Sequence, residues 1–90
     1  MSAHGELERL RQEIETLDRD LVALIARRIT LAHRIGEEKR AAGLPTLDPP
    51  REAAVVRRAA RLARENGLPD EDVRAIFWRV IGLCRREQRE

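Results

Sequence analysis

Apolar residues recur with a heptad period between Glu6 and roughly Ala41. Leu7, Ile14, Leu21 and Ile35 share one position, and Leu10, Leu17, Leu24 and Leu31 fall three residues later. An a/d seam kept through four heptads predicts one long helix of coiled-coil character. Proline is absent from the stretch and Gly36 is its only glycine, while Gly43, followed by Pro45, supplies a stop signal. At 1.5 Å per residue the helix is about 54 Å long. A compact domain of this chain length is only about 30 Å across. The overhanging seam needs a second chain to cover it, so an obligate homodimer is expected.

The loop AGLPTLDPP follows, over residues 42–50. Asp48 before Pro49 is a helix-start signal, a capping carboxylate and then a proline at the first helical position. A second helix is predicted from about Pro49 to Glu65, with Ala53, Val55, Val56, Ala59, Ala60, Leu62 and Ala63 on its apolar side. Asn66-Gly67 stops it. A third helix runs from Pro69 or Asp70 to about Gln88. Asp70, Glu71 and Asp72 suit the positive end of its dipole, and Val73, Ile76, Phe77, Val80, Ile81 and Cys84 form its buried stripe. Residues 1–5 read as a short disordered lead. No strand-like alternation interrupts the pattern. The expectation is a single all-α domain over residues 1–90, one very long helix and two medium ones, intertwined with a second copy.

Charge narrows the function classes. Eighteen basic residues are interleaved with 16 acidic ones for a net charge of +2, a poor match to a nucleic-acid-binding face. Phe77 and Trp78 are the only aromatic residues, so base-stacking platforms are missing. Trp78 is expected in the core or at a dimer contact. Cys84 is the only cysteine, which fits a reducing compartment. The N-terminal sequence lacks the apolar core of a signal peptide, and no apolar run is long enough for a bilayer. A cytoplasmic protein without membrane or nucleic-acid partners is expected. No metal-ligating cluster or Ser-His-Asp pattern stands out. His33, at an f position, and His4 read as solvated.

Several polar residues occupy places where apolar ones would be less costly. Arg28 sits at an a position of the seam, where a buried guanidinium costs on the order of several kcal/mol unless paired. Lys39 lies 11 residues further on, close to three turns, on the same face and about 16 Å away. Two long cationic side chains so placed can bracket a small anion. Asp48 and Glu52 form an i,i+4 pair with Arg51 between them, and Cys84 and Gln88 form another. Each has an ordinary explanation alone: a salt-bridged core arginine, a capping aspartate with a solvated face, a solvated terminal glutamine, a flanking charge for Arg11 at an e position.

Jointly these residues resemble the all-helical AroQ class of chorismate mutases, in particular its stand-alone bacterial domain. The resemblance runs from about Leu7 to Gln88. It is carried by LRQEIETLDRDLVALIARRITLAHRIGEEK, by LDPPREAAV, and by the Ile76-Phe77 helix ending in CRREQ. It implies conversion of chorismate to prephenate, a step toward phenylalanine and tyrosine, without cofactor or metal. It also implies a polar pocket lined by counterparts of Arg11, Arg28, Lys39, Asp48, Arg51, Glu52 and Gln88.

The implied roles fit the residue types. Arg11 and Arg28 would take the two substrate carboxylates through fork geometry. Lys39 and Gln88 would donate to the ether oxygen as charge develops there. Glu52 would accept from the ring hydroxyl, with the Asp48 backbone N–H nearby and Arg51 supporting the carboxylate shell. Cys84 stands where relatives place a small hydroxyl residue against a carboxylate; a thiol is a weaker donor, and a plain core role is the alternative. Arg11 lies 17 residues before Arg28, about 25 Å along one helix and turned about 100° from it. It is therefore expected to serve the partner's site, as the resemblance also implies. An isochorismate pyruvate lyase on the same fold, or a non-catalytic helical dimer, are the rival expectations. Activation by a shikimate-pathway enzyme is known among such proteins.

Overall fold

The computed structural model describes the backbone of residues 3–88 and the side chains of residues 4–86. It is built of three helices, α1 (Ala3–Ala41), α2 (Pro49–Glu65) and α3 (Asp70–Gln88), with no strand among the described residues. The helix α1 begins at Ala3, so the lead expected over residues 1–5 is helical from its third residue; residues 1 and 2 lie outside the described residues. Glu6 supports this first stretch through its ion pair with Arg9, which also pairs with Glu13 at 2.8 Å.

The helix ends follow local chemistry. At the end of α1 the Gly43 N–H donates to the Arg40 carbonyl at 3.2 Å and the Leu44 N–H to the Lys39 carbonyl at 2.8 Å. This paired closure needs a residue at positive φ, and Gly43 sits at +70°. The end of α2 repeats it, with Gly67 at φ +70° and bonds from Gly67 to Arg64 and from Leu68 to Ala63. At the start of α2 the Asp48 carboxylate accepts the Arg51 N–H at 3.2 Å. Pro49 and Pro50 lack N–H groups that the first turn would leave unpaired in any case. Arg64 reaches Asp70 at 3.0 Å, tying the end of α2 to the start of α3.

The helix α3 packs against both α1 and α2, whereas α1 and α2 do not pack on each other. A gap is left between them with α3 as its floor. The buried side chains are small: Ala32 of α1, Val55, Val56, Ala59, Ala60 and Ala63 of α2, Ile81 and Cys84 of α3. Phe77 packs against the cluster of Val55, Val56 and Ile81. Two predicted apolar positions fall outside this core. Leu62 is 46% exposed and Ile76 58%, because each points away from the line where α2 meets α3. Trp78 is 47% exposed, so it is not a core residue of the single chain.

The seam of α1 stays open. Ile14, Leu17, Leu21 and Leu24 are each 55–59% exposed, and Leu7, Leu10, Leu31 and Ile35 are exposed as well. The chain measures 62 × 25 × 15 Å with a radius of gyration of 17.3 Å, against about 12 Å for a compact domain of this length. Full burial of a leucine or isoleucine is worth about 1.5–3 kcal/mol. Half-exposed, each seam residue forgoes roughly 1 kcal/mol of that. A core made mainly of alanine and valine does not replace it.

Candidate active site

The gap between α1 and α2 is a cavity of about 430 Å³. Its α1 wall carries Arg28, Leu31, Ala32, Ile35 and Lys39. Thr46 and Asp48 of the connecting loop, with Arg51, Glu52, Val55 and Arg58 of α2, form the opposite wall. Ile81, Cys84 and Arg85 of α3 close the floor. Polar and charged side chains thus outnumber apolar ones in the lining, and the volume falls within the range of small-molecule sites, about 300 to 1,000 Å³.

Arg28 and Lys39 line the same cavity because three helical turns return Lys39 to the face of Arg28. Arg28 Nη1 lies 3.0 Å from Cys84 Sγ, a contact that joins α1 to α3. No carboxylate among the described residues pairs with Arg28. A thiol accepts weakly, and a guanidinium has five N–H donors, so most of its donor capacity stays open to the cavity. Lys39 Nζ donates to the Thr46 carbonyl at 3.0 Å. That bond pins the loop to α1 and leaves two of three ammonium donors free. Cys84 is both buried and part of the cavity floor.

Six of the expected residues, Arg28, Lys39, Asp48, Arg51, Glu52 and Cys84, come together here. Asp48 and Arg51 are held by the α2 cap itself, since the Asp48 carboxylate binds the Arg51 N–H. Arg11 is exposed and takes no part in the cavity of its own chain. Gln88 ends α3 one turn beyond Cys84; its side chain lies outside the described residues. Both histidines lie on α1 outside the cavity, His33 beside Glu37 at 2.9 Å and His4 exposed.

Three polar lining residues were not singled out from sequence: Thr46, Arg58 and Arg85. Arg58 lies two turns after Arg51, which puts the two on one face. Arg85 directly follows Cys84. It reaches across to α2 and grips Glu52 at two points, Nε to Oε2 at 3.1 Å and Nη2 to Oε1. The hydrogen bond to Glu52, and then its negative charge, raise the pKa of Arg85 above its ordinary value, so the guanidinium stays charged throughout the working pH range. A pairing 33 residues apart in sequence leaves no local signal.

An all-helical scaffold holding a cation-rich small-molecule pocket between its first two helices defines a class of binding or catalytic domain. Within it the chain belongs to the chorismate mutase type II family, whose model matches residues 10–89. It is 40% identical over 97% of its length to a 4-amino-4-deoxychorismate mutase of Streptomyces venezuelae, covering 85% of that protein. It is 30% identical over 84% of its length to a chorismate mutase of Methanocaldococcus jannaschii, covering 76% of it. A bifunctional chorismate mutase/prephenate dehydratase of Aquifex aeolicus is 37% identical over 88% of the chain, which spans only 23% of that larger protein.

Proposed function

We propose that this chain is a chorismate mutase, converting chorismate to prephenate in phenylalanine and tyrosine biosynthesis. The observation that carries the reading is the meeting of Arg28 and Lys39 with Arg51 and Glu52 around one cavity in a chain of this family. The rearrangement is intramolecular: one C–O bond breaks while one C–C bond forms. What the protein supplies is a folded substrate pose and charge complementarity at the ether oxygen. Arg28 takes one carboxylate with the donors that Cys84 leaves open. Lys39, anchored through Thr46, keeps donors aimed at the ether oxygen, and Gln88 donates to the same oxygen. Glu52 accepts from the ring hydroxyl near the Asp48 backbone N–H, and Arg51 supports the carboxylate shell. None of these steps calls for a metal or cofactor.

The working form in this reading is a homodimer. A second copy covers the open seam of α1, together with Leu62, Ile76 and Trp78, and brings its Arg11 to the second substrate carboxylate. No helix among the described residues is long and apolar enough to cross a membrane; with a single cysteine, a cytoplasmic location is the natural setting. A second substrate reading has a specific basis, the 40% identity to a protein named for 4-amino-4-deoxychorismate.

Supplying chorismate, isochorismate and 4-amino-4-deoxychorismate separately, and identifying the products, tests the proposal. Prephenate from chorismate is expected. Salicylate and pyruvate from isochorismate, with chorismate untouched, would establish the lyase instead. The role of Gln88 has its own test. In Gln88→Glu only the protonated acid can donate to the ether oxygen, so activity should rise as pH falls through the pKa of the new carboxyl group. The parent enzyme, whose amide is neutral at every ordinary pH, should lack that limb. A variant whose pH profile matches the parent's removes Gln88 from the site.

A further inference from the structure

We propose that Arg85 is a specificity-determining residue: by gripping Glu52 at the cavity wall, it makes the site select a substrate bearing a neutral hydroxyl over one bearing a charged amine. The inference rests on reading the cavity as the mutase site, with Glu52 facing the ring hydroxyl. Arg85 and Glu52 both line the cavity, and the grip joins α3 to α2 at two points. The Glu52 side chain is only 17% exposed, so water screens the pair incompletely.

Lone-pair and charge counts separate the two substituents. A carboxylate offers about four lone-pair sites, and Arg85 occupies two of them. A hydroxyl can still donate to a remaining site without disturbing the pair. An amine on a saturated ring carbon is protonated at neutral pH. Its positive charge would meet a carboxylate whose charge is already compensated, beside a guanidinium of the same sign. The rest of the wall adds to this. Arg28, Lys39, Arg51 and Arg58 also line the cavity, against only Asp48 and Glu52 as acids, and Asp48 is engaged in the α2 cap. Such a site suits a dianion with no cationic group. 4-Amino-4-deoxychorismate differs from chorismate by that one substituent, so the discrimination falls on Glu52 and on whatever sets its charge. Arg85 acts through Glu52 and is a positioning residue.

The test compares kcat/KM for chorismate and for 4-amino-4-deoxychorismate in the parent enzyme and in Arg85→Met, with Arg85→Gln as a second neutral replacement if the first does not fold. The parent should favour chorismate. Freeing Glu52 should move the ratio of the two kcat/KM values toward the amine by roughly tenfold or more. Arg85→Lys should restore most of the parent ratio, because a compact cation still compensates Glu52. A purely structural role for Arg85 predicts equal loss on both substrates, and an unchanged ratio in the neutral variants overturns the inference. So does a parent enzyme that prefers the amine. A folded parent that consumes neither substrate overturns the mutase reading itself, and the parent controls reveal that before any variant is compared.

Discussion

Replacing Lys39 with alanine is expected to lower kcat/KM for chorismate roughly 10²–10³-fold, the scale of losing one preorganised donor to a developing oxyanion. Arg28→Ala should cost about as much. The reason is where the charge develops. The ether oxygen gains negative charge only as the C–O bond breaks, so a fixed ammonium beside it stabilises the transition state more than the bound substrate. In the proposed mechanism Lys39 suits this role because one donor already holds the Thr46 carbonyl at 3.0 Å, which anchors the side chain. Arg28 is similarly placed by its 3.0 Å contact with Cys84. Neither residue is among the buried core side chains, which lie mainly on α2 and α3. Far-UV circular dichroism and the dimer mass should therefore match the parent in both variants. Unfolding in Arg28→Ala would mean that the arginine serves the core rather than the substrate.

The fold was largely legible because its signals are local. A heptad period over α1 needs no tertiary information, and neither do the Asp48-Pro49 start or the glycines at Gly43 and Gly67. The first helical residues were harder to place. Gly5 lowers helix propensity by about 1 kcal/mol relative to alanine, and residues 1–5 read as a disordered lead. In the folded chain the helix runs through it from Ala3. Side-chain periodicity also says that one face is apolar without saying what covers it. Leu62 and Ile76 therefore read as core yet lie on the outside of the single chain.

The site was legible where it depends on helix geometry. Arg28 and Lys39 share a face by their spacing alone, and Asp48, Arg51 and Glu52 are fixed by the cap that starts α2. Arg58 and Arg85 were not legible. Each is one arginine among many on a polar face, and only the crossing of α3 over α2 decides that Arg85 meets Glu52. The place of Arg11 is a different matter. Its exclusion from its own cavity follows from the length of a straight helix, but the destination proposed for it requires a second chain.

That destination gives the second large effect. Arg11→Ala and Arg28→Ala homodimers should each be nearly inactive, because both sites of each lack one arginine. Unfolded and refolded together in equal amounts, about half of the dimers should be mixed by random pairing in a two-fold assembly. In a mixed dimer one site receives Arg28 from the first variant and Arg11 from the second, and is complete. The other site lacks both. One working site in half of the dimers amounts to roughly a quarter of parent activity, recovered from two inactive proteins. Arg11 acting within its own chain, or having no role, predicts no recovery. Native mass spectrometry must find the mixed dimers; their presence without activity would refute the shared site.

The most direct measurement is the loss of chorismate absorbance on adding the purified protein in buffer containing EDTA, with no nucleotide or other cofactor, and with prephenate quantified at the end. Chorismate should disappear enzymatically, with prephenate formed in equal amount and the rate unaffected by the chelator. A folded dimer that leaves chorismate at its spontaneous rate of decay, or whose activity EDTA abolishes and added metal restores, would contradict the mechanism.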